Sequence, residues 1–381
     1  MWGQPPSASE ARLVSLAKFP NLGSHLYARR ITADLVDSAM RFDSVTLCSH
    51  MRAAAILGLG CSGQNLKIFQ EAAGSWSGKT IDWRIGMPDA ADQVDVLLLF
   101  GGDGTVHRHL AALVQLGLPV LVVPAGSGND FARALGLRRV SDSLGAWRRF
   151  RVGQANIRAV DLGVITPLGP GEGSPSDQGP RPAEVEVVTS FAQDRKPESG
   201  IRYFCCAAGV GLDGEIARRA NHLPRWLRAH GGYALSLVPA LFRLAPFCLK
   251  IHTPAGAMHA GQDPRQEQSW VPRSEASTVL AVFANTPSYG GGMRVAPRAR
   301  MDDGQLDVCL VSDIDRFKLF CLFPTVYFGR HLSMPEVKYF QSERLRLETG
   351  HPLDVYADGE FVCRTPVEVG VQSGALNVLT L

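Results

Sequence analysis

The sequence predicts an α/β domain followed by a β-rich domain. Between residues 51 and 150, short apolar runs alternate with glycine-rich turns and amphipathic stretches, which is typical of a parallel sheet flanked by helices. After residue 150, runs with strand character predominate. The length of 381 residues is sufficient for two such domains.

In the α/β part, apolar runs predict strands at 53–57, 81–85, 94–100 and 119–123. Helical spacing predicts helices over 65–73, 106–116 and 131–135. The run 94–100 is apolar throughout, as expected for a strand that is buried on both faces. Sites in parallel sheets lie at the carboxyl ends of the strands, so the turns at 57–65, 101–105 and 124–130 are candidates.

The rest of the chain divides more coarsely. Strands are predicted at 158–165, 184–190, 201–208, 247–252, 277–285, 308–311, 344–348, 355–357 and 367–369, and helices at 214–228 and 233–244. Loops are predicted at 166–182 and 254–274. We therefore expect an N-terminal extension of unclear role at 1–50, with candidate helices at 10–18 and 31–40. The α/β domain then spans 51–150, and the β-rich domain 151–381.

The composition excludes several classes of protein. A hydrophobic content of 45% with 20% charged residues allows a packed core. The net charge of +3 is too small to indicate a nucleic-acid partner. Eight cysteines without a CxxC pair indicate reduced, buried thiols and a cytoplasmic location. No signal peptide is expected, and the longest apolar stretch, 233–249, is shorter than the roughly 20 residues of a membrane-spanning helix.

The turn GGDGT at 101–105 has the residues of a phosphate site. Glycines let the backbone approach a phosphate, and free amides at the start of a helix attract anions. An aspartate there would repel phosphate, so we expect Asp103 to hold Mg²⁺ beside the phosphates or to orient a reacting group. The alternative is an aspartate that only caps a tight turn.

A second turn, PAGSGND at 124–130, follows the next strand. Ser127 and Asn129 can offer hydrogen bonds to phosphate or ribose, and Asp130 could cap the following helix. Two such turns at adjacent strand ends predict one nucleotide cleft.

Together these segments resemble the diacylglycerol kinase catalytic-domain family, which includes bacterial soluble lipid kinases, sphingosine kinases and ceramide kinases. The resemblance starts with FGGDGTVHRHL and VVPAGSGNDFARALGL. It continues in the same order through AVDLG, AGVGLDGEI, ANTPSYGGGMRVAPRARMDDGQLDV and YADGEF, and so runs from about residue 94 to the end. It implies an NAD kinase-like α/β domain and a sandwich-like β-rich domain that binds the acceptor, with the active site in the cleft between them.

The resemblance also implies ATP-dependent, Mg²⁺-assisted phosphoryl transfer to a lipid hydroxyl, most simply that of diacylglycerol. Asp103 would stand at the reaction centre, and Glu360 or Asp358 would be the general base, with Glu360 slightly favoured. The other carboxylate of that pair would help to hold metal. The implied nucleotide-binding residues are Gly101, Gly102, Asp103, Gly104, Thr105, Val106, His107, Gly126, Ser127, Asn129, Asp130, Ser62 and Gly63.

Further acidic positions match the family. In MDDGQLD, the carboxylate of Asp303 and the carbonyls of Arg300 and Gln305 would bind a structural Mg²⁺. A plain turn is the alternative reading of this loop. Asp161 matches an acidic position near the family's active site. Asp213 lies in the segment AGVGLDGEI, which also has a counterpart in the family, but the resemblance assigns it no definite role.

The sequence also departs from the family pattern. LGLGCSGQN at 57–65 keeps Ser62 and Gly63 but lacks the usual Asn-Pro, and the chain between it and GGDGT is short. His107 stands where the family often has asparagine, and we expect it to be a solvated loop histidine.

The expected partner is a lipid at a membrane surface. The apolar stretches 233–249 and 317–328, the first with Arg219, Arg225, Arg228 and Arg243 nearby, suit peripheral contact with an anionic bilayer. Ordinary core helices are the alternative. The sequence leaves open whether the chain forms a homodimer. The other functions to weigh are a sphingoid-base or ceramide kinase, a soluble-acceptor kinase of NAD kinase type, and a non-catalytic nucleotide- or lipid-binding regulator.

Overall fold

The computed structural model describes residues 50–58, 61, 63–74, 80–169, 200–212, 245–255 and 269–381. Outside these residues lie the helices predicted at 10–18, 31–40, 214–228 and 233–244, the strand at 184–190, most of both predicted loops, Ser62 and Asp213.

The first half of the described chain contains four parallel strands in the order β2-β1-β3-β4. The strands are β1 (His50–Leu57), β2 (Thr80–Ile85), β3 (Val96–Gly101) and β4 (Val120–Pro124). The helices are α1 (Gly63–Gly74), α2 (Asp103–Leu116), α3 (Asp130–Ala134) and α4 (Val140–Arg151). Every residue of β3 is buried, as its continuous apolar run predicts for a strand that is covered on both faces.

The strand order reverses direction between β1 and β3. The chain leaves β1 through α1 to β2 on one side, and then returns past β1 to β3 through a 3₁₀ turn at Ala91–Gln93. From β3 it continues to β4 on the opposite side. Ligand crevices in such sheets form at this switch point, outside the carboxyl ends of the strands. The turns after β1 and β3 therefore lie side by side.

The second half is mainly antiparallel. Its strands are β5 (Ile157–Pro167), β6 (Arg202–Phe204), β7 (Ala207–Gly211), β8 (Phe247–Pro254), β9 (Trp270–Ala284), β10 (Leu306–Ser312), β11 (Val337–Ser342), β12 (Arg344–Thr349), β13 (Asp354–Ala357), β14 (Glu360–Arg364) and β15 (Val367–Leu379). Strand β15 pairs antiparallel with β5 and β12, and at Val378 it pairs parallel with Val120 of β4. The two halves thus share one continuous sheet within a single unit, Ser49–Leu381.

The burial pattern differs between the halves. In β8, Phe247, Leu249 and Ile251 are buried, whereas Cys248 and Lys250 between them are exposed. This alternation is typical of a strand with one face on the core and one in water. The parallel strands pack in one apolar core that also includes Val160 of β5 and Val378 of β15, whereas most strands of the β-rich half share a second core. The predicted fold class, an α/β domain followed by a β-rich domain, is confirmed.

Several local features differ from prediction. The sequence does not predict helix α4, because polar residues outnumber the apolar ones in its segment. In the structure its narrow apolar face, with Trp147, packs into the core. Strands β11 and β14 were also missed. The described cysteines are free, but Cys248 and Cys321 are exposed, so the expectation of buried thiols is wrong for these two. No helix in the described ranges is long and apolar enough to cross a membrane.

Candidate active site

Turns from three strands meet at the switch point. The amide of Gly58, after β1, donates to the carbonyl of Phe100 at 2.7 Å. The amide of Ala125, after β4, donates to the carbonyl of Gly101 at 3.0 Å. These bonds hold the ends of all three turns against β3. We refer to residues 101–105 and 124–130 as the paired turns.

Two glycines allow the paired turns to touch. A Cβ atom on Gly126 would lie 2.5 Å from Cα of Gly102, and one on Gly102 would lie 2.9 Å from Cα of Gly126. Both distances are shorter than any ordinary carbon contact, and the obstructing atom is backbone. The glycines therefore act here through close approach of two chains, which short sequence motifs only suggest.

The turn after β1 reaches the site despite its missing Asn-Pro. The amide of Cys61 donates to the carbonyl of Gly58 at 3.0 Å, and its thiol donates to the carbonyl of Phe100 at 3.1 Å. A Cβ on Gly58 would stand 2.5 Å from the side chain of Thr105, which links this turn to GGDGT. Gly63 begins α1.

Asp103 is the first residue of α2, but its carboxylate binds a different helix. Oδ2 accepts from the amide of Asp130 and Oδ1 from the amide of Phe131, both at 3.0 Å. These amides open the short helix α3. The capping role that the sequence left open is therefore real, although it acts on the neighbouring turn. One lone pair on each oxygen is left for another ligand.

The environment of Asp103 is costly for a negative charge. Burial first, and then the charge of Asp130, raise its pKa to about 6, and Asp358 acts in the same sense. The two amide hydrogen bonds oppose this shift. The carboxylate would thus be stabilised by a cation placed between these acidic groups.

Asp130 does not cap its own helix, so that expectation is wrong. Asn129 occupies the N-cap position without a side-chain cap bond. The buried carboxylate of Asp130 accepts from Arg133, from Ser288 Oγ at 3.3 Å and from the amide of Gly291 at 2.8 Å. It therefore ties the second paired turn to the 288–291 loop of the β-rich half.

The other residues that we expect to bind the nucleotide differ in whether they already have hydrogen-bond partners. Asn129 has φ 55° and uses its amide group to close the turn, through bonds of 2.9 and 2.7 Å to Gly126. Val106 is buried, and its amide donates to Gly102. Both residues thus have structural partners already. Ser127 is exposed at the tip of its turn, where its hydroxyl can meet a ligand.

Asp358 lies opposite the paired turns, in the turn between β13 and β14, at φ 51°. Its side chain is fully buried. Oδ1 accepts from the amides of Cys206 at 2.8 Å and Ala207 at 3.2 Å. Oδ2 accepts from the amide of Cys205 at 2.8 Å and from its thiol at 3.3 Å. The carboxylate is thus almost surrounded by donors.

His107 completes this set, because its Nδ1 lies 3.0 Å from Oδ2 of Asp358. Burial alone would raise the pKa of Asp358, but the bond and charge of His107, with the amides, hold it below its usual value. Burial lowers and Asp358 raises the pKa of His107, and the net shift is upward. The expectation of a solvated loop histidine is therefore wrong: His107 lies in α2, with its side chain 17% exposed.

Glu360 has the opposite environment. It is exposed at the start of β14. Its Oε1 lies 3.7 Å from the point where a Cβ on Gly104 would stand. A carboxylate from the β-rich half, with no hydrogen-bond partner among the described residues, thus lies over the first turn of α2, where the start of the helix favours an anion.

The predicted structural metal loop lies apart from these groups. Asp303 is exposed; its oxygens accept from the amide of Gln305 at 3.1 Å and from Gln341 Nε2 at 3.3 Å. Asp161 is buried and accepts from the amides of Gly304 and Gly374, each at 2.8 Å. It therefore anchors this loop to β15 and makes no contact with the paired turns among the bonds found in the described chain.

Within the described ranges, one group of potential metal ligands comes together: Cys205, Cys206 and Asp358. The hydrogen bond from Cys205 lowers the pKa of Cys206, but burial prevails and raises it to about 12. Thiols that stay protonated are poor metal ligands. The cluster is therefore better described as support for Asp358.

Two groups of site residues were missed from the sequence. One consists of the amides of Cys205–Ala207, which hold Asp358; the other is the 288–291 loop, which holds Asp130. No side-chain pattern identifies a backbone donor. A signal for His107 was available, because it follows Asp103 by one helical turn and so shares its face of α2.

Comparison with known proteins gives the family. Residues 84–165 match the diacylglycerol kinase catalytic domain, and residues 206–380 match the YegS C-terminal NAD kinase beta sandwich-like domain. A relative in Mycobacterium tuberculosis, named diacylglycerol kinase, is 30% identical over 290 residues, which cover 76% of this chain and 78% of the relative. A Bacillus subtilis protein of the same name is 23% identical over 281 residues, 73% of this chain and 75% of its own.

Solved structures agree on the fold. A chain from Bacillus anthracis str. Sterne superposes with a TM-score of 0.59 at 19% identity. A second structure, described as a diacylglycerol kinase from the same strain, gives 0.54 at 17%. Each covers 87% of this chain and 97% of its own. With both halves matched in order and a relative at 30% identity over most of its length, the chain belongs to the diacylglycerol kinase family.

Proposed function

We propose that the protein transfers the γ-phosphate of ATP to a lipid hydroxyl, with diacylglycerol as the acceptor. The observation that carries this proposal is the exposed carboxylate of Glu360 over Gly104, at the start of α2. The start of a helix, which favours a phosphate, and an exposed carboxylate thus come together from opposite halves of the chain. The names of the relatives support diacylglycerol as the acceptor.

Glu360 is the better candidate for the general base. A base must accept a proton from the acceptor hydroxyl, and therefore needs a free lone pair within reach of it. The oxygens of Asp358 already accept from amides, a thiol and His107, and its pKa is low. Glu360 is exposed and has no hydrogen-bond partner within the described ranges. Asp358 then supports the turn and does not react.

The acidic groups fit a divalent cation. Asp103 and Asp130 offer hard oxygen ligands, and burial together with the neighbouring Asp130 disfavours the charge of Asp103. When bound, Mg²⁺ would neutralise charge on the phosphates that meet the paired turns. At the separate loop, exposed Asp303 keeps lone pairs beside the backbone of Arg300 and Gln305, which suits a structural Mg²⁺.

An apolar cavity supports a lipid acceptor. It has a volume of about 70 Å³ and lies between β9–β11 and the segment 316–334. Its lining includes Leu280, Met293, Val311, Leu319, Phe323 and Val326. Tyr289 also lines it and belongs to the loop that Asp130 holds, so the cavity adjoins the nucleotide turns. This apolar lining suits a short part of an acyl chain better than a polar nucleotide acceptor.

Peripheral membrane contact is part of the proposal, through an aromatic surface on helix α5 (Arg316–Leu322) and the following 3₁₀ turn (Phe323–Phe328). Phe317 and Phe328 are 75% and 72% exposed, and Phe320 is 45% exposed. The inner side of the same segment lines the cavity. Arg316 begins this segment and Arg330 follows it by two residues; both are exposed and suit anionic headgroups.

The kinase proposal is tested with labelled ATP, Mg²⁺ and mixed micelles of diacylglycerol, sphingosine or ceramide, with soluble NAD as a further acceptor. We expect label on diacylglycerol. The variant Glu360→Gln should lose at least about a hundredfold in turnover, since one base contributes about 10² to 10⁴. Glu348→Gln, which changes an exposed carboxylate of β12, is the matched control. Label on NAD alone would favour the soluble-acceptor function, and tight ATP binding without any transfer would favour the regulator.

Membrane contact is tested by sedimentation with phosphatidylcholine vesicles that contain phosphatidylglycerol. The double variant Phe317→Ser with Phe328→Ser should bind about tenfold more weakly, because two aromatic side chains no longer leave water. Val271→Ser removes an exposed apolar side chain elsewhere and should bind as the wild type does. Equal binding by all three proteins would place the contact on another surface.

A further inference from the structure

We infer that His107 is a positioning residue of the reaction centre: by its hydrogen bond to Asp358 it holds the 358–360 turn, and so Glu360, over the start of α2. The inference rests on the proposed function, because it takes Glu360 as the base that activates the acceptor hydroxyl.

One face of α2 meets the turn at two points. Gly104 and His107 are three residues apart, so they share a face of the helix. His107 bonds Asp358 at 3.0 Å, while Oε1 of Glu360 approaches the open side of Gly104. Since Asp358 and Glu360 are separated by one glycine, a displacement of Asp358 moves Glu360 as well.

The other bonds to Asp358 come from its own half of the chain. The amides of Cys205 and Cys206 and the thiol of Cys205 belong to the connection between β6 and β7, and the amide of Ala207 begins β7. The amide of Asp358 in turn donates to the carbonyl of Ala207 at 2.9 Å. These contacts keep the carboxylate satisfied without His107. His107 supplies the contact from the α/β half, so its loss should loosen the alignment of the 358–360 turn with α2 while the fold, held by the shared sheet, remains.

Replacing His107 by leucine or by asparagine distinguishes a role in aligning the 358–360 turn from a role in packing. Leucine fills a similar volume but cannot donate a hydrogen bond. Asparagine is shorter but keeps a donor that can point at Asp358. His109, two residues further along α2 and part-buried, provides a matched histidine on a different face of the helix.

The experiment measures kcat and the KM for ATP, with diacylglycerol in micelles, together with thermal unfolding. H107L should lower kcat by about ten- to hundredfold, since small misplacements of a reacting group have effects of this size. Its KM for ATP should stay within about twofold, because the paired turns are intact. H107N should recover most of kcat, and H109L should resemble the wild type.

A double variant tests whether His107 acts through Glu360. H107L in an E360Q background should be no slower than E360Q alone, because the group that it positions is already lost. Wild-type kcat in H107L, or full additivity with E360Q, would overturn the inference. So would equal losses of kcat and thermal stability in H107L and H107N, since they would show a packing role. If the wild type itself transfers no phosphate, the proposed function fails and the inference fails with it.

Discussion

Replacing Asp103 by asparagine separates the charge of this residue from its role in capping α3. An unfolded aspartate loses its proton near pH 3.8, whereas Asp103 in the folded protein holds it up to about pH 6, chiefly because of burial and the charge of Asp130. As the pH rises through this interval, the unfolded chain ionises first and the folded state becomes less stable. At about 1.4 kcal/mol per pKa unit, the loss is at most about 3 kcal/mol, and it stays constant above pH 6.

Asparagine removes this penalty but also removes an acceptor. Of the amides of Asp130 and Phe131, one would then face an NH₂ group, at a cost of about 1–3 kcal/mol. The two effects nearly cancel at pH 8, so we expect a folded variant with stability close to that of the wild type. Turnover should fall by at least about a hundredfold, because an anionic ligand at the reaction centre is lost.

Urea unfolding of both proteins at intervals from pH 4 to pH 8 provides the assay. Other carboxylates titrate in both proteins, so the difference between the two curves isolates Asp103. The wild type should lose up to about 3 kcal/mol relative to the variant between pH 4 and pH 6. Parallel curves would refute the argument for its pKa, and substantial turnover in the variant would remove Asp103 from the reaction centre.

Two further pairs of substitutions, each a test variant with its control, probe the structure of the site and of the metal loop. Gly126→Ala should destabilise the protein by about 1–3 kcal/mol and weaken ATP binding, because its Cβ would press on the backbone of Gly102 at 2.5 Å. Gly350→Ala, with no atom within 4 Å, should be neutral or slightly stabilising in the same unfolding and binding assays. Asp161→Asn should cost about 1–3 kcal/mol, because one of the two amides that donate to this buried side chain loses its acceptor. Asp302→Asn removes only exposed ion pairs and should cost less than about 1 kcal/mol. Equal unfolding midpoints for the two members of either pair would contradict these expectations.

The fold class could be predicted because it depends on local periodicity. A continuous apolar run such as 96–101 is compatible with a strand covered on both faces, and the alternation in β8 with a strand that faces water. Helix α4 was missed because its apolar face is narrow, and it becomes evident only when Trp147 packs into the core.

The sequence by itself determined the family type, the glycine-rich turns and the carboxylates that belong near them. Only the tertiary structure decided their roles, because a role depends on which groups satisfy each oxygen. Asp103 and Asp358 both occur in strong motifs, yet one accepts from the amides of α3 and the other from residues that lie 151 to 153 positions away, while Glu360 has no hydrogen-bond partner within the described ranges. These partners are mostly backbone amides, which carry no side-chain signal. Their positions depend on the pairing of β15 with β4, which joins the two halves in one sheet.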